Sequence, residues 1–353
     1  MGSVTIGNIT VKPGSKAHGV LEVPNVYADG SAVEIPFIVI NGQKPGKTLH
    51  LMVGQHGEEG IHPLEAIRRV FIQQDPKTLS GTLQFCLPNP IGFRRRTHFL
   101  TFDMRVSGYA QTINMNRVWP GNPDGSIPER IAYTIWNHMI LNKADCVIDF
   151  HTGDGIAANP NWVAYHKGKG KTFDETEKLA KVFGTPYLGQ TSTAETGFVG
   201  IEEKMVEVQC IRHGIPSFAP EGGILARERG EPRYGFDEIS IDICVKGINN
   251  VMKALGMIEG KPELPKKQYV WGAIGERVCA KNGGVFSPSV KPCESVKKND
   301  KLGIVYSPRT FEILETIVAP LDGIVWGMTG DPIVNAGEQI LSVRKIIEVV
   351  ENS

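Results

Sequence analysis

Apolar and polar positions alternate in Val20-Leu21-Glu22-Val23 and in Val33-Glu34-Ile35-Pro36-Phe37-Ile38-Val39-Ile40. Gly, Pro and Asp separate these segments, so residues 1 to about 45 are predicted to form short strands. The run Leu49-His50-Leu51-Met52-Val53 lacks a solvent-facing alternation and reads as a buried strand. Past it the period changes: Leu64, Ile67, Val70 and Phe71 recur at helical spacing, and Asp75-Pro76 closes the segment. Residues 81–87 read as the next strand, and Pro88-Asn89-Pro90 opens a long loop running to Pro120-Gly121, of a length that usually carries function. Ser126-Ile127-Pro128-Glu129 is a capping box for a helix to about Leu141, with Ile131, Ile135 and Met139 on one face. The apolar strand Cys146-Val147-Ile148-Asp149-Phe150 then delivers His151 at its C-terminal end, where open α/β sheets place their ligands. Strand and helix go on alternating up to a helix at about 237–255.

This order predicts an α/β fold, a sheet flanked by helices, over residues 1–259, with Gly260-Lys261-Pro262 as linker. Residues 260–353 are rich in Val, Gly and Pro without a helical period and read as a small all-β domain. Two half-motifs repeat there: residues 296–302 resemble residues 334–340, and Gly284-Val285-Phe286 resembles Gly323-Ile324-Val325, which suggests a folded-over barrel. The pattern is similar to a biotinyl/lipoyl-type domain, but Ser307-Pro308-Arg309-Thr310 stands in the hairpin where a carrier presents its modified lysine. That argues against a swinging arm.

A length of 353 residues agrees with two domains of ample core. Lys+Arg and Asp+Glu both number 38, and no basic run is longer than Arg94-Arg95-Arg96, which argues against nucleic acid as a partner. The six cysteines are scattered with no C-x-x-C pair, so neither a structural zinc cluster nor a disulfide framework is expected. The N-terminus lacks the charged and apolar regions of a secretory signal, and no apolar stretch approaches the roughly 20 residues of a membrane helix. The expectation is a cytoplasmic enzyme with no membrane partner; its oligomeric state stays open, a homo-oligomer included.

Candidate chemistry centres on Gly54-Gln55-His56-Gly57-Glu58-Glu59-Gly60, directly after the buried strand. Gly54 and Gly57 are expected to permit a tight bend, with His56 and Glu59 projecting to the same side of it. An imidazole and a carboxylate are what a catalytic zinc uses, although H-x-x-E also recurs by chance. Three further features join it: Asn116-Arg117 after the long loop, His151 after its strand, and Glu221 before Gly222-Gly223.

The order H-x-x-E, N-R, strand-His and Glu-before-Gly resembles the zinc carboxypeptidases and, more closely, the succinylglutamate desuccinylase/aspartoacylase family, whose members also carry a C-terminal β domain. The resemblance covers nearly the whole chain. It implies a carboxypeptidase-like fold and one zinc per chain held by His56, Glu59 and His151, with Glu221 as the proton shuttle. Arg117 and Asn116 would bind a substrate carboxylate, and Arg105 would stabilise the oxyanion, the cluster Arg94-Arg95-Arg96 being the alternative. Glu58 falls outside the spacing and is assigned a supporting or solvated place. Where many members read D-x-N-R, this chain has Asn114, which can accept the imidazole N–H but lacks the charge that strengthens a zinc ligand. N-x-N-R also occurs in a subgroup that includes deacetylases of diaminobutyrate in ectoine breakdown. The other histidines, His18, His50, His62, His98, His138, His166 and His213, fit no ligand spacing. The implied activity is zinc-dependent hydrolysis of a linear amide in a small N-acyl amino acid or similar carboxylate. A zinc carboxypeptidase acting on peptides and a non-catalytic binding relative are the alternatives, and the acyl group and amine are left undetermined.

Overall fold

A computed structural model describes residues 2–98, 100–106, 109–152, 157–158, 160–193, 203–222 and 236–352. A mixed sheet of thirteen strands, counted among the described residues, runs through the molecule. From one edge its order is Ser15–Val23, Val33–Asn41, Ser80–Cys86, Lys44–Val53, Cys146–Thr152, Ser217–Gly222, Trp162–Lys167, Tyr187–Thr193, Lys267–Cys279, Gln339–Glu351, Gly323–Thr329 and Ala157–Ala158, with Ser295–Val296 also on Gly323–Thr329. Lys44–Val53 lies parallel to both Ser80–Cys86 and Cys146–Thr152, and Ser217–Gly222 continues parallel beside Cys146–Thr152.

Parallel strands are covered on both faces, which explains the apolar runs of the central ones. Residues 49–53 and all of Cys146–Thr152 are buried. Period-two geometry divides their side chains between two cores. Leu49, Leu51, Val53, Ile148 and Phe150 pack with Ile67 and Val70 of the helix Ile61–Gln73 and with Ile248 and Val251 of the helix Glu238–Ala254. Met52 and Val147 belong to the opposite core with Trp119 and with Ile131 and Ile135 of the helix Ile127–Ile135. Each such side chain contributes about 1.5–3 kcal/mol on burial. The expected capping box forms, with Ser126 N donating to Glu129 Oε2 at 2.8 Å, and the helix runs on through a π turn, Trp136–Ile140.

Residues 88–120 are more structured than a loop. Asn89 caps a short helix, Pro90–Arg95, by accepting from Gly92 N at 2.8 Å, because Asn-Pro serves as N-cap and first helical residue as readily as it marks a turn. A hairpin, Leu100–Val106 with Tyr109–Ile113, and a 3-10 turn, Met115–Arg117, complete the segment.

Among the described residues the tail past the helix Glu238–Ala254 forms strands only. Lys267–Cys279, Gln339–Glu351 and Gly323–Thr329 extend the large sheet, Tyr269 standing opposite Tyr187. Ile313–Val318, Lys301–Tyr306, Gly284–Pro288 and Ile333–Val334 make a second sheet over a core of their own that includes Phe286, Leu302, Val305, Val325 and Leu341. The sequence repeat is realised as an exchange: Val296 pairs with Gly323 and Val334 with Gly284, so each half-motif completes the other. Asn299 and Gly337 both take left-handed backbone, at φ 73 and 89, in the matching turns. In those turns Asp300 and Glu338 accept from Lys297 N and Asn335 N, each at 2.8 Å.

Candidate metal centre

The bend after Val53 is built on glycines at Gly54 (φ 86) and Gly60 (φ 84). Gly57 has a different reason for being glycine. A Cβ there would lie 2.0 Å from Gly92 C and 2.5 Å from Phe93 N, so the bend is pressed backbone to backbone against Pro90–Arg95. Gly57 N also donates to Thr97 O at 2.9 Å. The bend thereby aims His56 and Glu59 along the C-terminal ends of the parallel strands.

On the neighbouring strands Val53 pairs with Phe150, and His151 stands directly opposite Glu221. Three strand ends therefore present His56 with Glu59, His151 and Glu221 along one edge of the sheet, the edge at which α/β proteins bind ligands. Nδ1 of His56 is 3.0 Å from Glu59 Oε2, and Nδ1 of His151 is 2.9 Å from the same oxygen. The outward nitrogens are held from behind: His56 Nε2 is 3.1 Å from Asn114 Oδ1, and His151 Nε2 is 2.8 Å from Asp149 Oδ2. Two imidazoles that turn one nitrogen inward to a shared carboxylate and fix the other on an acceptor form a donor set suited to a cation such as zinc.

The electrostatics point the same way. Burial disfavours the Glu59 anion, but hydrogen bonds from His151 and His56 outweigh it and hold the carboxyl at about 2. Burial likewise opposes a charged His151, and Asp149 with Glu59 reverses this and carries it well above its ordinary value. Glu221 keeps some surface open, yet its depth among protein atoms, reinforced by the charges of Glu59, Asp149 and Glu207, pushes it up to about 8. Burial and the charge of Asp149 raise Glu207 too. Four carboxylates thus converge on two histidines, a surplus of negative charge that a cation would relieve.

Two groups of donors among the described residues have all their ligand atoms within 4.8 Å of one another: His56, Glu59 and His98, and Asp149, His151 and Glu207. Either could hold a metal ion. Glu59 links them through its contact with His151, so the three ligands named from sequence meet but do not form one of these groups by themselves. The sequence left His98 without assignment. In the structure its ring stacks on His56 with centroids 4.1 Å apart, and its Nδ1 lies 2.6 Å from Glu58 Oε1, so Glu58 is paired rather than merely solvated. Asp149 and Glu207 were missed as well. For Asp149 a signal existed in the D-x-H spacing, which puts two side chains on one face of a strand.

Asn116 is buried, and its Oδ1 accepts from Val206 N at 3.0 Å, so it fastens the helix Val206–Arg212 to this edge. Arg117 donates from Nη1 to Asn116 O at 2.6 Å, and its charge favours the anion of Glu207. Arg105 lies on the hairpin strand opposite Ala110, with its side chain outside the described residues. Arg94 lines a separate groove with Tyr27, Asp29 and Glu34. No helix among the described residues is long and apolar enough to cross a membrane.

The protein thus combines a mixed α/β fold with a histidine–carboxylate cluster at the ends of its parallel strands, a set of side chains that could hold a metal ion. Residues 45–213 match the family model of the succinylglutamate desuccinylase/aspartoacylase catalytic domain. A relative in Halomonas elongata, an N-alpha-acetyl-L-2,4-diaminobutyric acid deacetylase, is 24% identical over 348 residues, covering 94% of this chain and 92% of its own. The fold is shared with a succinylglutamate desuccinylase/aspartoacylase from Rhodobacter sphaeroides, at TM-score 0.74 and 23% identity over 94% of this chain and 96% of that one. It is shared equally with the product-bound ectoine utilization protein EutE (DoeB) from Ruegeria pomeroyi, at TM-score 0.75 and 23% identity over 94% and 95%.

Proposed function

We propose that the protein is a zinc-dependent deacylase that hydrolyses the linear amide of a small N-acyl amino acid. The convergence of His56 and His151 on one oxygen of Glu59, with Glu221 directly opposite His151, carries the reading. His56, Glu59 and His151 would hold the ion, a set of two histidines and one carboxylate of the kind that catalytic zinc sites use. When bound, zinc supplies Lewis acidity, polarising an amide carbonyl and making water acidic near neutral pH. Glu221 accepts the proton of the attacking water and returns it to the leaving nitrogen. Arg117 offers the planar, permanently charged fork that binds a substrate carboxylate, Asn116 fixes the turn that carries it, and the oxyanion role is assigned to Arg105.

The named activity of the Halomonas elongata relative supports acetyl as the acyl group and a diamino acid as the amine. In this reading residues 1–259 are the catalytic unit of a cytoplasmic enzyme, and residues 260–353 form a barrel-like β unit that narrows the cleft. The test is a panel of N-acetyl, N-succinyl and longer N-acyl amino acids, 2,4-diaminobutyrate derivatives included, set against C-terminal dipeptides with zinc-loaded protein. Turnover of acyl amino acids that stops on chelation is expected; turnover of peptides alone would make it a peptidase.

A further inference from the structure

The outer supports of the two histidines are unequal. Behind His56 stands a neutral amide, Asn114, 3.1 Å away and already accepting from Asn116 N at 2.8 Å. Behind His151 stands a carboxylate, Asp149, 2.8 Å away and fully buried. Asp149 does not stand alone. Its Oδ2 also accepts from Gln55 Nε2, Gln55 Oε1 accepts from Trp119 Nε1 at 2.7 Å, and Asn89 Nδ2 donates to Gln55 O at 2.9 Å. Gln55, Trp119 and Asn89 are likewise fully buried. Gln55 immediately precedes His56, so one residue ties the backbone of the first histidine to the carboxylate behind the second.

A buried carboxylate is costly unless something compensates its charge, and the second acid nearby, Glu207, adds repulsion instead of relief. Asp149 and Glu207 share a donor group with His151, all three offering ligand atoms within 4.8 Å of one another. A carboxylate accepting Nε2–H fixes the tautomer that leaves Nδ1 free to ligate, and it raises the basicity of that nitrogen; an amide oxygen does the first without the second.

Resting on the zinc reading above, we propose that Asp149, braced by Gln55 and Trp119, is the positioning residue that supplies through His151 the anionic support that Asn114 does not give His56. The charge behind the site stands at one histidine only, and zinc affinity follows Asp149. Asp149→Asn keeps an acceptor oxygen for His151 and Gln55 and removes only the charge.

The test is the zinc dissociation constant, read by competition with a chromophoric chelator, for wild type, D149N, N114D and the double variant, together with the melting temperature of each metal-free protein. D149N is expected to bind zinc about 10–100-fold more weakly. The double variant, with a carboxylate restored behind His56, is expected to recover most of that loss, which an Asp149 needed only to anchor Gln55 would not allow. Wild-type affinity in D149N, or no recovery in the double variant, would overturn the proposal. If D149N does not fold, N114D alone decides: tighter binding supports it and unchanged binding overturns it. Wild-type protein that takes up no zinc would instead overturn the underlying reading.

Discussion

A single methyl group at Gly57 is a sharp probe of how the bend that carries His56 and Glu59 is held. The residue does not need a left-handed backbone; it needs room, because a Cβ would sit 2.0 Å from Gly92 C and 2.2 Å from Gly92 O. Reaching ordinary contact at 3.4 Å requires the two backbones to part by roughly 1.4 Å, and neither obstacle is a flexible side chain that could swing aside. Overpacking of this kind costs about 1–3 kcal/mol, and loss of the bond from Gly57 N to Thr97 O adds about 1 kcal/mol. At about 2 °C per kcal/mol for a chain of this size, Gly57→Ala should melt roughly 4–8 °C below wild type. His56 and Glu59 flank the strained point, and a displacement of about 1 Å at a reacting centre costs on the order of 100-fold in rate. Thermal melting, zinc titration and turnover read the three effects. Gly214→Ala serves as control, since Gly214 has φ 78 with nothing within 4 Å of its Cβ: backbone strain lowers stability without touching zinc binding. If Gly57→Ala melts and binds zinc like wild type, the close approach does not hold the bend and the reasoning fails.

His50, fully buried on the central strand, is pushed by burial to about 3 from its ordinary 6.5. The unfolded chain therefore binds a proton that the folded chain refuses, and stability is lost as pH falls from about 6.5 toward 3. The loss is about 2 kcal/mol by pH 5, and His50→Gln should flatten that slope in urea titrations; parallel slopes would refute the assignment. His98→Ala should retain about one zinc per chain by elemental analysis whereas His151→Ala loses it; the reverse result would transfer the ion to the group formed by His56, Glu59 and His98.

Much of this architecture was legible because local period and burial agree. The helical spacing of Ile67, Val70 and Phe71, the capping box at Ser126 and the apolar run into His151 each carry their own signal, and each forms as expected. The hairpin at 100–113 and the pairing of Tyr269 with Tyr187 depend on partners that local pattern does not reveal. The same limit applies at the site. His56, Glu59, His151 and Glu221 were singled out by order, spacing and the family resemblance, whereas His98 joins their neighbourhood only because the segment after Asn89 packs on Gly57, and Glu207 only because its helix docks on Asn116. Gly57 was read as a bend residue since a sequence shows that a position is glycine but not which backbone approaches it.

Glu221→Gln in zinc-loaded protein tests the central claim most directly, with the best substrate of the acyl panel. Loss of the shuttle should lower turnover about 100–10,000-fold while zinc content and affinity stay at wild-type levels. Wild-type turnover in this variant would contradict the account.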